Sequence, residues 1–536
     1  MARTSTILML AVMGCGQSGA GEELLSPSTS GDPSGSVATD GTDATGAPPT
    51  TNTSTPTSAD DGVDTGASAG DSSGDESGGP PPAPGCSDEV CDVLETCSAC
   101  PADCGPCPSD CGDPQVLCVD DGAGPSQEFA DIQSAADAAV AGDTVLVQPG
   151  SYAGFQISRS GEPDARISYL AVGEVLIDQA ITSGDAYDGC VDEPTGICIV
   201  GSDELEGVHD VAVEGFHIVD MARSCIASHS ANPGIAGSSG PHQRIVVREI
   251  LCERAGHEGL YLSEVGASLV EANEIIDAGA DGQPRGHGIY MANAGCDDTI
   301  IRANAIHWDG QLGPSEGAGI HFNGDESVDG NGGGDGIITG LVVEGNVIRG
   351  ADHNGLNMDG VRASSVVGNI VHGNSRNAMV VYAIDASAGA GDLRIVGNTF
   401  VVPEFASGAA IRLEQDDGGH VIFDNILINE SGGPSISLGN AEFTSDYNAV
   451  IDAFAFDEGD MSLAQWQAQG RDTHSLVVAS AEVFVDADDL HLRADAPAID
   501  VGVASLAGVD APSYDIDGDA RPHGAAFDLG ADERSR

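Results

Sequence analysis

The second half of the chain repeats a short phrase in which an Asn stands between two apolar stretches. The repeated asparagines are separated by 31, 42, 23, 29 and 27 residues and are Asn273, Asn304, Asn346, Asn369, Asn398 and Asn425. Unequal intervals around about two dozen residues are typical of a solenoid, because each coil returns to the same axial position while its loops vary in length. The repeat therefore predicts a solenoid. We interpret the asparagines as structural, with side-chain amides stacked at a turn from one coil to the next.

A second phrase lies between the asparagines and alternates apolar and outward-facing residues. It begins with a Gly or Ala and occurs at Gly259 to Leu262, Gly288 to Met291, Gly319 to Phe322, Gly355 to Met358 and Ala410 to Leu413. A period of two residues indicates β-strands, whereas a helix would show a period near 3.6. Each coil is therefore expected to consist of short strands.

A single helical pattern precedes the repeats, between Phe129 and Ala141. It places five apolar side chains on one face before Gly142 ends it, namely Ile132, Ala135, Ala136, Ala139 and Val140. The first coil of a parallel solenoid exposes core side chains and an unpaired strand edge. We therefore predict that this helix caps the solenoid.

The segment after the helix carries a family resemblance. Gly142-Asp143-Thr144-Val145-Leu146-Val147, then Pro149-Gly150-Ser151-Tyr152, then Gly161 to Tyr169, resemble the N-terminal part of right-handed parallel β-helix proteins of the pectin-lyase-like superfamily. The resemblance covers Phe129 to about Leu438, and His491 to Asp500 and Asp515 to Pro522 resemble the closing segment of many bacterial β-helices. It implies an all-β, right-handed parallel β-helix and, since several members are polysaccharide lyases, a polysaccharide partner.

The N-terminus has the pattern of an export signal. One Arg precedes an apolar run from Ile7 to Met13, and Val12-Met13-Gly14-Cys15 resembles a bacterial lipobox. This predicts a lipid anchor on Cys15, and Gly16 favours sorting to the outer membrane or cell surface. An ordinary secretory signal is the alternative, and the sequence leaves inner and outer membrane undecided.

Composition divides the chain into five predicted segments. They are the signal (1–15), a disordered acidic linker (16–85), a cysteine-rich module (86–118), the β-helix (119–445) and a closing segment (446–536). Eight of the fourteen cysteines lie in the third segment, and that density in an exported chain favours disulfides over zinc. We also expect Cys190 to pair with Cys198 and Cys225 with Cys252, which leaves Cys296 unpaired.

The charge balance limits the partners. The chain has 85 acidic and 19 basic residues, and every basic residue is Arg. A polyanion such as nucleic acid would be repelled, so we exclude it. Calcium is a conceivable cofactor, and Asp515, Asp517 and Asp519 alternate as oxygen ligands would, but a turn is the simpler interpretation because no EF-hand Glu follows. The sequence identifies no metal ligand set.

Strand alternation predicts one candidate face. If Leu260, Ile289, Ile320, Leu356, Val380, Ile411 and Ile436 point inward, the next residue of each strand points outward. That first outward column is Tyr261, Tyr290, His321, Asn357, Val381, Arg412 and Ser437. The second, two residues further on, is Ser263, Ala292, Asn323, Asp359, Ala383, Glu414 and Gly439.

Two columns of this kind predict a groove for a sugar polymer. Tyr261, Tyr290, Asn323 and Asn357 are the candidate substrate-binding residues, because aromatic rings cover pyranose faces and amides bind hydroxyl groups. His257, His287 and His353 would line the rim.

Two chemistries fit the candidate catalytic residues His321, Asp359, Arg412 and Glu414. A lyase would use His321 or Arg412 as the base, since the chain has no Lys. A glycoside hydrolase would use Asp359 and Glu414, which are two coils apart and therefore roughly 9 to 10 Å apart, near the approximate 6.5 to 9.5 Å of inverting enzymes.

The motifs of one better-defined family are incomplete. Gly286-His287-Gly288 is similar to the Gly-His-Gly of polygalacturonases, but it precedes Asn357-Met358-Asp359, whereas that family has its Asn-Thr-Asp element first.

Taken together, the export signal, the β-helix pattern and the candidate groove lead us to expect a membrane-tethered monomer that binds and cleaves polysaccharide as a lyase or hydrolase. The alternatives are a non-enzymatic carbohydrate-binding or adhesive protein and a structural envelope component.

Overall fold

The structure is a computed structural model, and it describes most of the chain after residue 90. The described residues are 91, 94–108, 111–122, 128–181, 190–191, 194–201, 207–229, 242–282, 286–292, 295–309, 317–325, 335–439, 442–456 and 459–534. All of these residues belong to one compact unit, Asp75–Arg536. The predicted export signal, the lipidation site at Cys15 and the linker lie outside the described residues.

Three long parallel sheets run side by side and form the faces of a solenoid. The chain passes from sheet 1 to sheet 3 to sheet 2 in each full coil and then returns to sheet 1. The inward residues form one continuous apolar core, which includes Ile289, Ile320 and Leu356 at 0 % exposure. The predicted all-β, right-handed parallel β-helix is confirmed, with the handedness that parallel crossovers adopt.

Sheet 1 contains, in order of pairing, β1 (Val116–Val119), β2 (Thr144–Val147), β5 (Ile167–Ala171), β8 (His209–Glu214), β11 (His242–Arg248), β15 (Leu269–Glu271), β18 (Ile300–Arg302), β22 (Val342–Glu344), β26 (Ser365–Val367), β29 (Arg394–Val396), β32 (His420–Phe423) and β35 (Phe443–Asp446), with β14 (Val265–Gly266) beside β11.

Sheet 2 contains β4 (Phe155–Ile157), β7 (Ile197–Val200), β10 (Ile226–His229), β13 (Leu260–Ser263), β17 (Ile289–Ala292), β20 (Ile320–Asn323), β24 (Leu356–Asp359), β28 (Met379–Tyr382), β31 (Ile411–Leu413), β34 (Ile436–Leu438), β37 (Phe454–Phe456) and the antiparallel β38 (Gly459–Met461).

Sheet 3 contains β3 (Gly150–Ala153), β6 (Val175–Gln179), β9 (His217–Val219), β12 (Leu251–Glu253), β16 (Glu274–Ile276), β19 (Ala305–His307), β23 (Val347–Arg349), β27 (Ile370–His372), β30 (Thr399–Val402), β33 (Ile426–Asn429), β36 (Ala449–Val450) and β39 (Leu476–Val477).

Two small pairs complete the strands, β21 (Ile338–Thr339) with β25 (Val361–Arg362) and β40 (Ser505–Leu506) with β41 (Val509–Asp510). The described helices are α1 (Pro101–Cys104), α2 (Ile132–Ala138), α3 (Leu463–Gln467) and α4 (Ser480–Val483). In the part of the chain that the structure describes, none of these helices has the length and apolarity to cross a bilayer.

The repeated asparagines form a buried ladder between sheets 1 and 3, as predicted. The side-chain oxygen of Asn369 accepts hydrogen bonds from the backbone nitrogen and the Nδ2 of Asn346, both at 2.9 Å. Its own Nδ2 donates to Oδ1 of Asn398 at 2.9 Å. The sequence prediction missed a seventh member, Asn448, which continues the ladder and ends it on Asp472.

Helix α2 closes the N-terminal end of the core. Its N-cap is Asp131, whose side chain accepts a hydrogen bond from the backbone nitrogen of Ser134 at 2.8 Å. The predicted cap is present but shorter than the predicted helix, and Val140 is 56 % exposed. The prediction that Val140 lies on the buried face was wrong, because the helix ends at Ala138 and the chain leaves it in an extended conformation.

The cysteine-rich segment holds disulfides and docks on the outer face of sheet 1. Its described disulfides are Cys91–Cys104, Cys97–Cys107 and Cys111–Cys118. Cys190–Cys198 and Cys225–Cys252 are also formed and Cys296 is free, which confirms the predicted pairs and the unpaired thiol.

Charged side chains, most of them buried, alternate in sign along the outer face of sheet 1. The column is Glu214, Arg248, Glu271, Arg302 and Glu344, one residue from each successive strand. Arg248 and Arg302 both contact the carboxylate of Glu271, at 2.9 and 2.6 Å. The segment joins the column through Thr96, whose hydroxyl donates to Glu214 at 2.9 Å. Neighbouring charges of opposite sign offset the free-energy cost of removing each other from water, so the cysteine-rich segment can cover this column.

The closing segment packs along the outer face of sheet 3. It forms a second apolar cluster in which Phe484, Leu490 and Leu529 contact sheet residues such as Ile428. Helix α3 starts with a capping box at Ser462, and the ring of its buried Trp466 stacks on Phe454 at 4.8 Å. The parallel strands run from β1 to β39 and so extend beyond both boundaries drawn from composition for the β-helix.

Candidate functional site

The outer face of sheet 2 carries the two predicted columns, with one register error. Leu356 pairs with Met379, so Met379 and Val381 point into the core and Val380 points outward beside Asn357. The predicted inward position of Val380 and the outward positions of Val381 and Ala383 were wrong by one residue. Tyr382 therefore stands in the second outward column, opposite Asp359.

Four half-buried rings follow one another along this face, and we call them the aromatic strip: Tyr261, Tyr290, His321 and Tyr382. The centroids of Tyr261 and Tyr290 are 5.7 Å apart, and Tyr290 stacks on His321 at 4.8 Å. The guanidinium of Arg223 lies 4.7 Å from the centroid of Tyr261 at one end. Stacked parallel strands produce the spacing of Tyr261, Tyr290 and His321, because three successive coils each contribute one ring at the same register, whereas Tyr382 stands two coils beyond His321 in the second column.

The middle of the strip is a chain of hydrogen bonds with a fixed direction. The backbone nitrogen of Ala318 donates to Nδ1 of His287 at 3.0 Å, so the proton of His287 is on Nε2. That Nε2 lies 3.3 Å from Nδ1 of His321, which therefore accepts and carries its own proton on Nε2. Nε2 of His321 in turn lies 3.3 Å from the phenol oxygen of Tyr382.

Tyr382 ends this chain with its own proton uncommitted. Its oxygen also accepts a hydrogen bond from Nδ2 of Asn357 at 2.7 Å, so two donors occupy the oxygen. Among the described residues, the phenol proton has no acceptor in the hydrogen-bond network. The geometry presents Tyr382 as a hydrogen-bond donor to a molecule on the strip.

Two asparagines flank this chain of hydrogen bonds, and only one of them has partners for both the oxygen and the nitrogen of its side-chain amide. Oδ1 of Asn357 accepts from Nδ2 of Asn354 at 3.0 Å. Nδ2 of Asn323 donates to the hydroxyl of Tyr290 at 3.1 Å, but the buried Oδ1 of Asn323 has no partner among the described residues. A buried acceptor without a partner is uncommon and is usually met by water or a ligand.

Burial keeps these groups uncharged near neutral pH. It lowers the pKa of His321 to about 3, with His353 as a second, smaller cause. Burial likewise raises the pKa of Tyr261 to about 12 and, together with the charge of Asp359, raises the pKa of Tyr382 well above its ordinary value. The strip therefore offers neutral hydrogen-bonding groups rather than charges.

We expect His321 to stay neutral between about pH 5 and pH 8, where an ordinary histidine titrates. Its folded pKa of about 3 lies below the unfolded value of about 6.5, so protons are taken up on unfolding below that value. The stability that this site contributes is therefore complete above about pH 6.5 and lost as the pH falls toward 3. Proton NMR of the imidazole, assigned with His321→Gln, measures the titration. A midpoint near that of a histidine in a short peptide would contradict the burial argument.

Asp359 and the Arg412–Glu414 pair are placed differently from the strip. Each carboxylate oxygen of Asp359 accepts a backbone N–H at 3.0 Å, from Ile384 and Asp385, so Asp359 holds the turn after β28. Arg412 donates to the carboxylate of Glu414 from both Nε and Nη2, with the Nε contact at 2.7 Å. This pair borders a separate pocket of about 430 Å³.

The structure thus brings together part of the predicted site. Tyr290, His321, Asn323 and Asn357 form one network, Tyr261 extends it, and Asp359, Arg412 and Glu414 lie beside it with other partners. Sequence reasoning missed Tyr382. Its register was readable, because Asn377-Ala378-Met379 matches Asn354-Gly355-Leu356 with Ala in place of Gly.

Clusters of metal-ligating side chains lie elsewhere. Among the described residues, three groups of His, Cys, Asp or Glu come close enough to share an ion: Cys190, Cys198 and His229; Cys91, Glu95 and Cys104; and His491, Asp517 and Asp532. In the first two the cysteines are disulfide-bonded, so their sulfurs are not thiolate ligands. The Asp515 run forms a turn, in which Oδ1 of Asp515 accepts the backbone N–H groups of Asp517 and Asp519.

Comparison with known proteins gives one family match. Residues 241–450, less than half of the chain, match the model of the family described as "Periplasmic copper-binding protein (NosD)". No curated protein matches the chain.

Solved structures share the fold at low identity. Pectate lyase Pel9A is 13% identical over 78% of this chain and 96% of its own, with a TM-score of 0.42. The A-module of the Azotobacter vinelandii mannuronan C-5 epimerase AlgE6 is 16% identical over 65% and 93%, with a TM-score of 0.37. PfbA, a surface adhesin of Streptococcus pneumoniae, is 10% identical over 61% and 85%, with a TM-score of 0.35. The chain is a right-handed parallel β-helix protein, and its central coils match the NosD family model.

Proposed function

We propose that this protein is exported and binds a polysaccharide chain along the aromatic strip of sheet 2. The observation that carries the proposal is the row of half-buried rings at the surface with uncommitted polar atoms between them, the phenol proton of Tyr382 and Oδ1 of Asn323. Sugars have apolar ring faces edged by hydroxyl groups, so rings and neutral hydrogen-bonding groups in alternation fit them. Five described disulfides support an oxidising compartment, as export requires.

The charges around the strip favour an uncharged polysaccharide. Arg412 is already paired with Glu414, Arg223 lies close to Glu258 at 3.6 Å, and the chain as a whole carries a formal charge of −66. A polyuronate would bring carboxylates to a surface that offers no unpaired cation among the described strip residues. A neutral chain avoids that repulsion.

The lipid anchor on Cys15 belongs to the same proposal. A chain held to the membrane by lipid and a long acidic linker would present the solenoid to polysaccharide at the cell surface. We propose that the protein acts as a monomer, because one solenoid supplies the whole strip.

Cleavage of the bound chain is a second candidate function, favoured by the hydrogen-bond chain that ends at Tyr382. A phenol whose oxygen already accepts two hydrogen bonds directs its proton outward to a glycosidic oxygen, which leaves the anomeric carbon as water adds there, and the proton released by that water returns to the phenolate. The carboxylates that hydrolysis needs are otherwise engaged, since Asp359 binds two backbone N–H groups and Glu414 binds Arg412. Binding is therefore the primary proposal.

Copper binding, which the description of the matched family names, is not part of the proposal. Within the described residues of segment 241–450, no three His, Cys, Asp or Glu side chains come close enough to share an ion.

Affinity electrophoresis through gels that contain single polysaccharides tests the proposal. We expect xylan, mannan or a soluble cellulose derivative to retard the wild-type protein, and pectate and alginate to leave it unretarded with or without calcium. Release of reducing ends that is lost in Tyr382→Phe would establish cleavage. Retardation by the uronates alone, or by none of the polymers, would refute the proposal.

A further inference from the structure

A large cleft lies on the opposite side of the coils, between sheet 3 and the closing segment. Its volume is about 1110 Å³, slightly above the roughly 300 to 1,000 Å³ of small-molecule sites. Residues of β30 and β33 form one wall, and the segment from Val478 to Arg493 forms the other. The cleft is separate from the aromatic strip, because its residues come from sheet 3, the turns next to it and the closing segment, whereas the strip lies on sheet 2.

The floor of the cleft is apolar, and an apolar side chain is exposed on each of its two sides. Val401, Ile428 and Leu490 lie buried at the base. On these two sides, Phe405 is 75 % exposed and Val485 is 50 % exposed. Together with the apolar floor, these side chains form one apolar surface, and such surfaces are typical of ligand-binding grooves.

The rim of the cleft is acidic. Five carboxylates line it, and they are Asp309, Glu404, Glu430, Asp486 and Asp488. Its two cations are already paired, Arg349 with Asp309 at 2.5 Å and Arg493 with Asp495 at 2.7 Å. His372, which also lines the cleft, is neutral near neutral pH because burial and Arg349 lower its pKa to about 4. The excess charge of the rim is therefore negative.

Aromatic rings line the same cleft as these carboxylates. Trp308 is half-buried in its wall, with its indole nitrogen donating to the carbonyl of Ala278 at 2.7 Å, so the ring is held in place. Phe405 and Phe484 are the other two. Ring faces and carboxylates both attract ammonium groups, while the apolar floor accepts a hydrocarbon body.

We propose that this cleft binds a small organic cation, an amine or quaternary ammonium with an apolar body. The acidic rim complements the charge and the floor takes the hydrocarbon. The linker of this chain is a poor occupant by the same argument, since residues 16–85 are acidic and contain no basic residue.

The two tryptophans of the chain make the test direct. Trp308 lines the cleft, and Trp466 is fully buried elsewhere. Fluorescence of the full-length protein is titrated with phenylbutylamine, phenylbutanol and phenylbutyrate, which share a body and differ in charge. We expect a saturable change with the amine, binding of the alcohol that is about tenfold weaker, and no response to the carboxylate. Trp308→Phe should abolish the change.

Charge variants separate the cation site from a general apolar cleft. The double variant Glu404→Gln/Asp488→Asn should weaken amine binding about fivefold and leave alcohol binding unchanged. Glu442→Gln, an exposed carboxylate outside the cleft, is the matched control and should change neither. Equal affinity for all three probes, an unaltered response in Trp308→Phe, or no saturable response to the amine would overturn the proposal.

Discussion

Asn369→Ala is expected to lower the free energy of unfolding by about 4 kcal/mol, because it interrupts the ladder at a position where every group is buried. The substitution leaves the backbone N–H and Nδ2 of Asn346 without their acceptor and removes the donor to the carbonyl of Val343. Each unsatisfied buried group costs about 1 to 3 kcal/mol. Urea unfolding followed by circular dichroism gives the difference.

Ser365→Ala is the matched control for this measurement. Ser365 lies on β26 of the same coil, is half-buried, and points outward. Its substitution should change the free energy of unfolding by less than about 0.5 kcal/mol. A loss of similar size in both variants would show that the asparagine ladder contributes no more to the free energy of unfolding than an ordinary half-buried side chain does.

Tyr261→Ala/Tyr290→Ala is expected to weaken polysaccharide binding about 100-fold, with about tenfold from each ring. These rings neighbour each other at 5.7 Å and provide the apolar part of the strip. Their removal should leave the fold intact, since both side chains point outward from the core. Isothermal titration with an oligosaccharide of the polymer that retards the wild type measures the loss.

Tyr447→Ala tests whether any surface tyrosine has the same effect. Tyr447 stacks on His474 at 4.6 Å, far along the chain from the strip, and is half-buried like the strip tyrosines. Affinity should be unchanged in this variant. Equal losses in the single control and the double variant would mean that the sugar binds elsewhere.

The coils were predictable because their signals are local and repeated. Asn at one turn and apolar residues at alternate positions recur in every coil, so parity alone predicted that Leu260, Ile289 and Ile320 are buried. The register failed at Met379, where Ala378 replaces the Gly that precedes Leu260, Ile289, Ile320 and Leu356. A one-residue slip exchanges the two faces of a strand, so Tyr382 was missed.

The hydrogen-bond network could not be read from the sequence in the same way. His287, His321 and Tyr382 come from coils separated by loops of unequal length, and only the stacked register brings their polar atoms together. Asp359 shows the converse, since its position in the column was predicted but its two backbone partners were not. Side-chain partners depend on local turns that carry no repeat.

Disulfides within the repeated coils were predictable, whereas those of the cysteine-rich segment were not. Cys225 and Cys252 occupy neighbouring coils and were paired from the repeat. The cysteine-rich segment has no repeat, and eight thiols allow 105 pairings. Its position over Glu214 and Arg248 was likewise beyond prediction, because alternating charges on an outer face read as a solvated surface.

Hydroxyl-radical footprinting of tyrosines, with and without the polysaccharide that retards the protein, tests the central claim most directly. The account predicts that the polymer protects Tyr261, Tyr290 and Tyr382 from oxidation and leaves Tyr447 and Tyr514 unprotected. Tyr514 is 46 % exposed and lies in the closing segment, so it reports on the other side of the molecule. Protection of Tyr447 or Tyr514 with no change at the three strip tyrosines would contradict it.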